Sequence, residues 1–175
     1  YKDQVIHEEL EVTKADGKPY TVFTPYKNKW LELYSHAIPM PKISFENFFQ
    51  TYLEFPSKDE LNIQKSNITV RKSDLSEIGN YDQTRNFPNL DSTTYLSPHL
   101  RFGTIGIREL FFNLKNSNET FISELIWREF FMQILYNFPN VVNSNFKKKY
   151  DSIQWINDKE DFNNWCEGKT GYPMV

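Results

Sequence analysis

The stretch from Glu119 to Phe138 constrains the fold more than any other part of the chain. Pro139 stops it, and its residue types favour a helix. At about 100° per residue, its apolar side chains point in nearly every direction. They are Ile122, Leu125, Ile126, Trp127, Phe130, Phe131, Ile134, Leu135 and Phe138. A helix that is apolar all round is expected to be buried. Glu124, Arg128 and Glu129 nevertheless sit in its middle, where unpaired charge costs several kcal/mol, to order of magnitude. Phe121, Glu124, Trp127, Arg128 and Phe131 share one face. Two readings stay open. In one, Glu124 and Arg128 form an i,i+4 salt bridge and the rings are core. In the other, the face lines a cavity for flat ligands, with rings to stack on them and charges to fix their edges.

The rest of the chain divides around this helix. Glu11-Val12-Thr13 and Tyr20-Thr21-Val22-Phe23 flank an Asp16-Gly17 turn and are expected as strands. Thr24-Pro25 opens a short helix to about Tyr34. Residues 36–75 carry Pro39, Pro41 and Pro56 among polar text, with at most a helical turn around Phe45 to Leu53, and are expected as a linker. Helical patterning returns from about Leu75. Ser97-Pro98 repeats the cap-then-Pro signal, Ile107 to Leu114 is apolar, and a last helix spans Asp158 to Glu167. Asn157 caps that helix, Glu160 follows as in a capping box, and Gly168 ends it.

Composition sets the outer bounds. With 175 residues the chain is one domain, or one with an appendage. A net charge of −3 excludes a uniformly basic nucleic-acid binder but allows a local basic patch. An aromatic content of 17% argues against disorder. A mean hydropathy of −0.64, with no long apolar run, excludes a membrane span. The single cysteine, Cys166, excludes a disulfide framework and reads as a packed small residue. His7, His36 and His99 are too scattered for a metal site. The chain opens on Tyr1-Lys2-Asp3 without a leader and closes on Tyr172-Pro173-Met174-Val175. Both ends read as cuts through a longer protein.

Asp91-Ser92-Thr93-Thr94-Tyr95-Leu96-Ser97-Pro98 is a second candidate site. Three hydroxyls and free backbone N–H groups ahead of a helix suit phosphate oxygens, or serve only as a helix cap. Tyr81 and Arg85 extend this site or sit in a turn. Lys147-Lys148-Lys149, the one basic run, is either a solvated cluster or a contact to a nucleic-acid backbone.

Taken together and in this order, these segments resemble the photolyase/cryptochrome family of flavoproteins. The likeness starts at Asp16-Gly17-Lys18-Pro19-Tyr20-Thr21-Val22-Phe23-Thr24-Pro25-Tyr26 and is densest in four strings. They are Tyr81-Asp82-Gln83-Thr84-Arg85, Leu96-Ser97-Pro98-His99-Leu100-Arg101-Phe102-Gly103, Glu124-Leu125-Ile126-Trp127-Arg128-Glu129-Phe130 and Trp165-Cys166-Glu167-Gly168-Lys169-Thr170-Gly171-Tyr172-Pro173-Met174-Val175. Within the family the chain is most similar to bacterial cyclobutane pyrimidine dimer photolyases.

The resemblance implies a mainly α fold. Residues 76–175 would be the first half of the helical FAD-binding domain. Residues 36–75 would be the linker, and 1–35 the last strand and helix of an N-terminal α/β antenna domain. It implies light-driven electron transfer from reduced FAD that splits pyrimidine dimers in DNA, with this segment inactive by itself. The alternatives are a cryptochrome-type photoreceptor or a helical interaction module without cofactor. Residue by residue, it implies FAD contacts at Tyr81, Thr93, Thr94, Tyr95, Leu96, Ser97, Phe121 and Arg128. Catalytic roles fall to Glu124, Trp127 and Trp155. Glu124 would hydrogen-bond the dimer's bases, Trp127 would pack against the flipped dimer, and Trp155 would be the surface end of an electron relay. The DNA-facing run would be Glu124, Leu125, Ile126, Trp127, Arg128, Glu129, Phe130 and Phe131. Relatives commonly carry Ser-Arg where this chain has Thr94-Tyr95, so a positive charge is expected to be missing there. A second antenna chromophore, folate or deazaflavin, a monomeric state and a cytoplasmic location complete these expectations.

Overall fold

The computed structural model describes residues 3–34, 44–49 and 51–173. His36, Pro39 and Pro41 of the expected linker, and the closing Met174 and Val175, lie outside them. Six α-helices are described: α1 Phe23–Tyr34, α2 Tyr81–Thr84, α3 Leu96–Arg101, α4 Ile107–Leu114, α5 Glu119–Asn137 and α6 Lys159–Cys166. The chain divides into two units, Tyr1–Asn137 and Phe138–Val175.

α5 organises the first unit. Asn118 caps it by accepting the N–H groups of Thr120 and Phe121 at 3.1 and 3.2 Å. Phe121, Ile122, Leu125, Ile126, Glu129, Phe130 and Gln133 form its buried stripe. The helix is therefore not enclosed all round, as its apolar wheel predicts. Phe131 is 60% exposed, and Leu135 and Tyr136 also face outward. α1 and α4 pack against the buried side. Tyr26 and Trp30, one turn apart on α1, enter the same core as Phe111 of α4 and Phe130 of α5. Trp30 meets Phe111 at 4.8 Å between ring centroids and His7 edge-on at 4.9 Å.

The expected strands are replaced by a single isolated bridge between Thr13 and Pro19, and no strand occurs among the described residues. Gly17, at φ 77°, makes the turn that the Asp16-Gly17 step predicts. Pairing stops there because Val12 is drawn fully into the core and Phe23 already begins α1. The helix thus starts ahead of Pro25.

Residues 4–8 lack regular structure, and side chains of the helices satisfy their backbone groups. Arg128 donates to the carbonyl of Gln4 at 2.7 Å, and Arg108 of α4 donates to that of Ile6 at 3.1 Å. Glu129 accepts the N–H groups of Ile6 and His7 at 2.8 and 3.0 Å. Gln133 donates to the carbonyl of Glu8 at 3.3 Å. A buried irregular segment needs such partners, since unpaired backbone groups are costly away from water.

Two helix starts differ from expectation. α3 begins at Leu96, ahead of Ser97-Pro98, and its cap is Tyr95 in a left-handed conformation with no side-chain cap bond. In the second unit α6 is capped by Asp158, which accepts from Glu160 and Asp161, rather than by Asn157. That unit also holds short 3-10 turns at Pro139–Val142 and Lys148–Tyr150. Cys166, expected to be packed, is exposed. No described helix is long and apolar enough to cross a membrane.

Candidate functional site

Three pieces of chain enclose a cavity of about 450 Å³: the short helix α2, the turn leading into α3, and α5. Asn118 holds the first and last together by donating to the carbonyl of Gly79 and to Asp82 at 3.3 and 2.8 Å. Tyr81 and Phe121 meet edge to face at 5.3 Å and form one wall. Leu96, Leu100, Leu125 and Met132 add apolar surface. Thr94, Ser97, Glu124, Arg101 and Arg128 supply the polar groups, with Gln4 at the rim.

The charges pair differently from the i,i+4 reading. Glu124 accepts from Arg85, which follows α2, and not from Arg128. Arg85 lies 5.7 Å above the Tyr81 ring, and its hydrogen bond to Glu124 raises its pKa further. Arg128 instead donates to the carbonyls of Gln4 and Leu100. Burial, then repulsion from nearby Arg101, lowers its pKa, while Glu129 opposes the fall. Burial raises the Tyr81 phenol. Arg128 thus lines the cavity while main-chain carbonyls hold its guanidinium.

The hydroxyl-rich turn is held from behind. The Asp74 N–H donates to the Thr94 carbonyl at 3.0 Å. The Tyr95 hydroxyl donates to Asp91, and Arg71 stacks over the Tyr95 ring at 3.9 Å while donating to Asp91 at 2.7 Å. Arg71 thus lies beside Tyr95 and pairs with Asp91. Tyr95 sits at φ 52°, a conformation that L residues adopt sparingly. Ser92 carries a buried hydroxyl without a partner. Thr93 is exposed.

The expected site residues are only partly gathered. Tyr81, Thr94, Leu96, Ser97, Phe121, Glu124, Leu125 and Arg128 line one cavity. Thr93 and Tyr95 belong to the same turn but do not line it. Trp127 does not join Glu124 and Arg128 there. It stacks on Phe23 of α1 at 3.6 Å and 7°, and on Phe131 at 5.3 Å. The run 124–131 cannot face a ligand as a whole, because eight successive helical residues cover the full circumference. Ile126, Glu129 and Phe130 are closed into the core, a correction to their expected contact with DNA. Leu125 is buried as well, with its edge at the cavity wall. Trp155, in the second unit, is 70% exposed. Lys147, Lys148 and Lys149 are exposed there too.

Gln4, Leu100, Arg101 and Met132 escaped the sequence reading. Met132 continues the face of Arg128 one turn on, and the helical wheel extends to it. Gln4 lies in irregular chain and carries no comparable signal.

Comparison with known proteins shows what this chain is similar to. Residues 121–175 match the family model described as the FAD binding domain of DNA photolyase. The whole chain is 30% identical over 204 aligned residues to the deoxyribodipyrimidine photo-lyase of Halobacterium salinarum, and covers 42% of that protein. It is 30% identical to the deoxyribodipyrimidine photo-lyase of Escherichia coli, again across the whole chain and 42% of that protein. The enzyme of the same name from Alkalihalophilus pseudofirmus is 27% identical, with 41% of it covered.

Along its whole length the chain is similar to DNA photolyases.

It spans about two fifths of the length of the curated relatives it matches. The matched region of the family model begins at Phe121, on the cavity wall, and includes Glu124, Arg128 and Met132. The described elements of the chain are all helical.

Proposed function

We propose that this chain forms part of a DNA-repair flavoprotein, a deoxyribodipyrimidine photo-lyase, that binds FAD and acts on pyrimidine dimers in DNA. The observation that carries this reading is one cavity edged by the Thr94-to-Ser97 turn on one side and by Glu124 and Arg128 on the other.

The donor set fits a dinucleotide. Apolar and aromatic walls from Leu96, Leu100, Phe121 and Leu125 suit a flat ring system, while hydroxyls and a guanidinium suit phosphate oxygens. Tyr81, Thr94, Leu96, Ser97, Phe121 and Arg128 would hold FAD, with Thr93 and Tyr95 shaping the turn. When bound and reduced, FAD supplies the light-driven electron that splits the dimer's cyclobutane ring.

The remaining work falls to side chains. Glu124 presents a carboxyl group to the bases of an everted dimer, where a hydrogen bond meets developing charge. Arg85 holds that group in place until the lesion arrives. Trp127 replaces part of the stacking lost when the dimer leaves the duplex, and weakened pairing at the lesion reduces the cost of eversion. Arg128 keeps a cation between cofactor and DNA. Phe131, exposed beside Trp127, extends the DNA-facing surface, and Lys147, Lys148 and Lys149 meet the phosphate backbone. Trp155 is the outer end of the relay that reduces the flavin.

In this reading residues 1–35 close the antenna domain, 36–75 link, and 76–175 open the FAD domain, in a monomeric cytoplasmic protein with a folate or deazaflavin antenna. The isolated 175-residue chain does not repair DNA. The test is the full-length protein that carries this chain, purified and given a UV-irradiated oligonucleotide. Flavin absorbance with light-dependent loss of dimers supports the proposal. Flavin without repair points to a photoreceptor, and neither flavin nor repair overturns the proposal.

A further inference from the structure

We infer that Phe23 is the positioning residue for Trp127, fixing the plane in which its indole meets a base-like ring. The inference rests on the role given above to Trp127 and adds a residue from a different helix to it. Phe23 opens α1, and its ring lies against the indole face at 3.6 Å and 7° from parallel. Phe130 closes the edges, meeting Trp127 at 5.5 Å and 77° and Phe23 at 5.8 Å and 72°. Phe131 also stacks on the indole, offset at 5.3 Å and 21°.

A partly buried indole on a helix surface still has more than one rotamer open to it. Two near-parallel rings, of which Phe23 is the closer, and one perpendicular ring remove that freedom, because each contact holds only for one setting of the side-chain torsions. Binding sites work when such groups are held within roughly 10–20° of the productive orientation by neighbours that are themselves packed.

Phe23 is itself held. One turn on, Lys27 donates to Ser123 at 2.8 Å and pairs with Glu119 at 3.0 Å. A turn further, the Trp30 indole N–H donates to Glu129 at 2.7 Å. Residues 23, 27 and 30 form one face of α1, and all three contacts land on α5. The position of Phe23 is therefore set by two polar anchors rather than by the ring pair alone.

The test uses the full-length protein with Phe23→Leu, Phe23→Tyr and Trp127→Phe. The readout is the affinity for a dimer-containing oligonucleotide relative to an undamaged one, in the dark, alongside flavin absorbance and thermal melting. Phe23→Leu should lower the discrimination by roughly threefold to tenfold, the range for one lost ring pair, with flavin content unchanged. Phe23→Tyr should restore it. If Phe23→Leu does not fold, Phe23→Met fills the same space without a flat ring. Wild-type discrimination in Phe23→Leu, with discrimination lost in Trp127→Phe, overturns this inference and leaves the proposed function standing. Wild-type discrimination in Trp127→Phe overturns the role of Trp127 itself, and this inference with it.

Discussion

The Glu129 carboxylate accepts the indole N–H of Trp30 at 2.7 Å, joining α5 to α1. The same carboxylate accepts the N–H groups of Ile6 and His7. It is 2% exposed, so three donors meet one acid in the core. Removing the acid leaves buried donors unpaired. Glu129→Ala should cost at least about 3 kcal/mol in a urea titration. A double-mutant cycle with Trp30→Phe should return a coupling of about 1–3 kcal/mol. Additive effects would show that the bond contributes nothing.

Burial outweighs the three hydrogen bonds and raises the Glu129 pKa above its ordinary 4.5. A raised carboxyl pKa means that the folded chain binds the proton more tightly than the unfolded one. The resulting stabilisation is complete below pH 4.5 and is lost as pH rises through the folded-state pKa. The stability of wild type relative to Glu129→Gln should therefore fall with rising pH across that window. A difference that rises with pH would reverse the sign and contradict the assignment.

The Tyr26 hydroxyl is buried without a partner, and burial drives its pKa far up. Tyr26→Phe removes an unpaired polar group and keeps the ring that meets Phe130 at 5.0 Å. The variant should be neutral or more stable by about 1 kcal/mol in thermal melts. A loss of comparable size would show that the hydroxyl has a partner after all.

Residues 4–8 carry their protection through side chains of α4 and α5. Arg108→Ala removes the donor to the Ile6 carbonyl and should speed hydrogen exchange at the Ile6 and His7 amides by roughly tenfold. The central amides of α5 should exchange at the wild-type rate. Uniform acceleration would mean that the segment unfolds only with the whole unit.

α4 runs from Ile107 to Leu114 as its apolar text predicts, and α5 lies within one residue of its expected end. Both are legible because spacing and stop signals are local. The strand text at 11–13 and 20–23 misleads because burial of Val12 and packing of Phe23 against the core override β propensity. Glu129 reads as a charge in need of a partner, but no pattern in the chain announces that the partners are backbone amides far away in sequence. Glu124 and Arg128 have the ideal spacing for a salt bridge, yet Arg85 and two carbonyls take them instead. Partners that arrive from other segments cannot be read from a helical wheel. The shared face of Phe121, Glu124 and Arg128 was legible, while Trp127 belongs to the adjoining one.

The cavity account is tested most directly by Glu124→Gln in the full-length protein, read as light-driven dimer loss per flavin. Gln keeps the shape and removes the charge that pairs with Arg85. Repair should fall by roughly tenfold, about one hydrogen bond's contribution in the transition state, with flavin absorbance retained. Wild-type repair in Glu124→Gln would contradict the claim that this carboxylate faces the lesion.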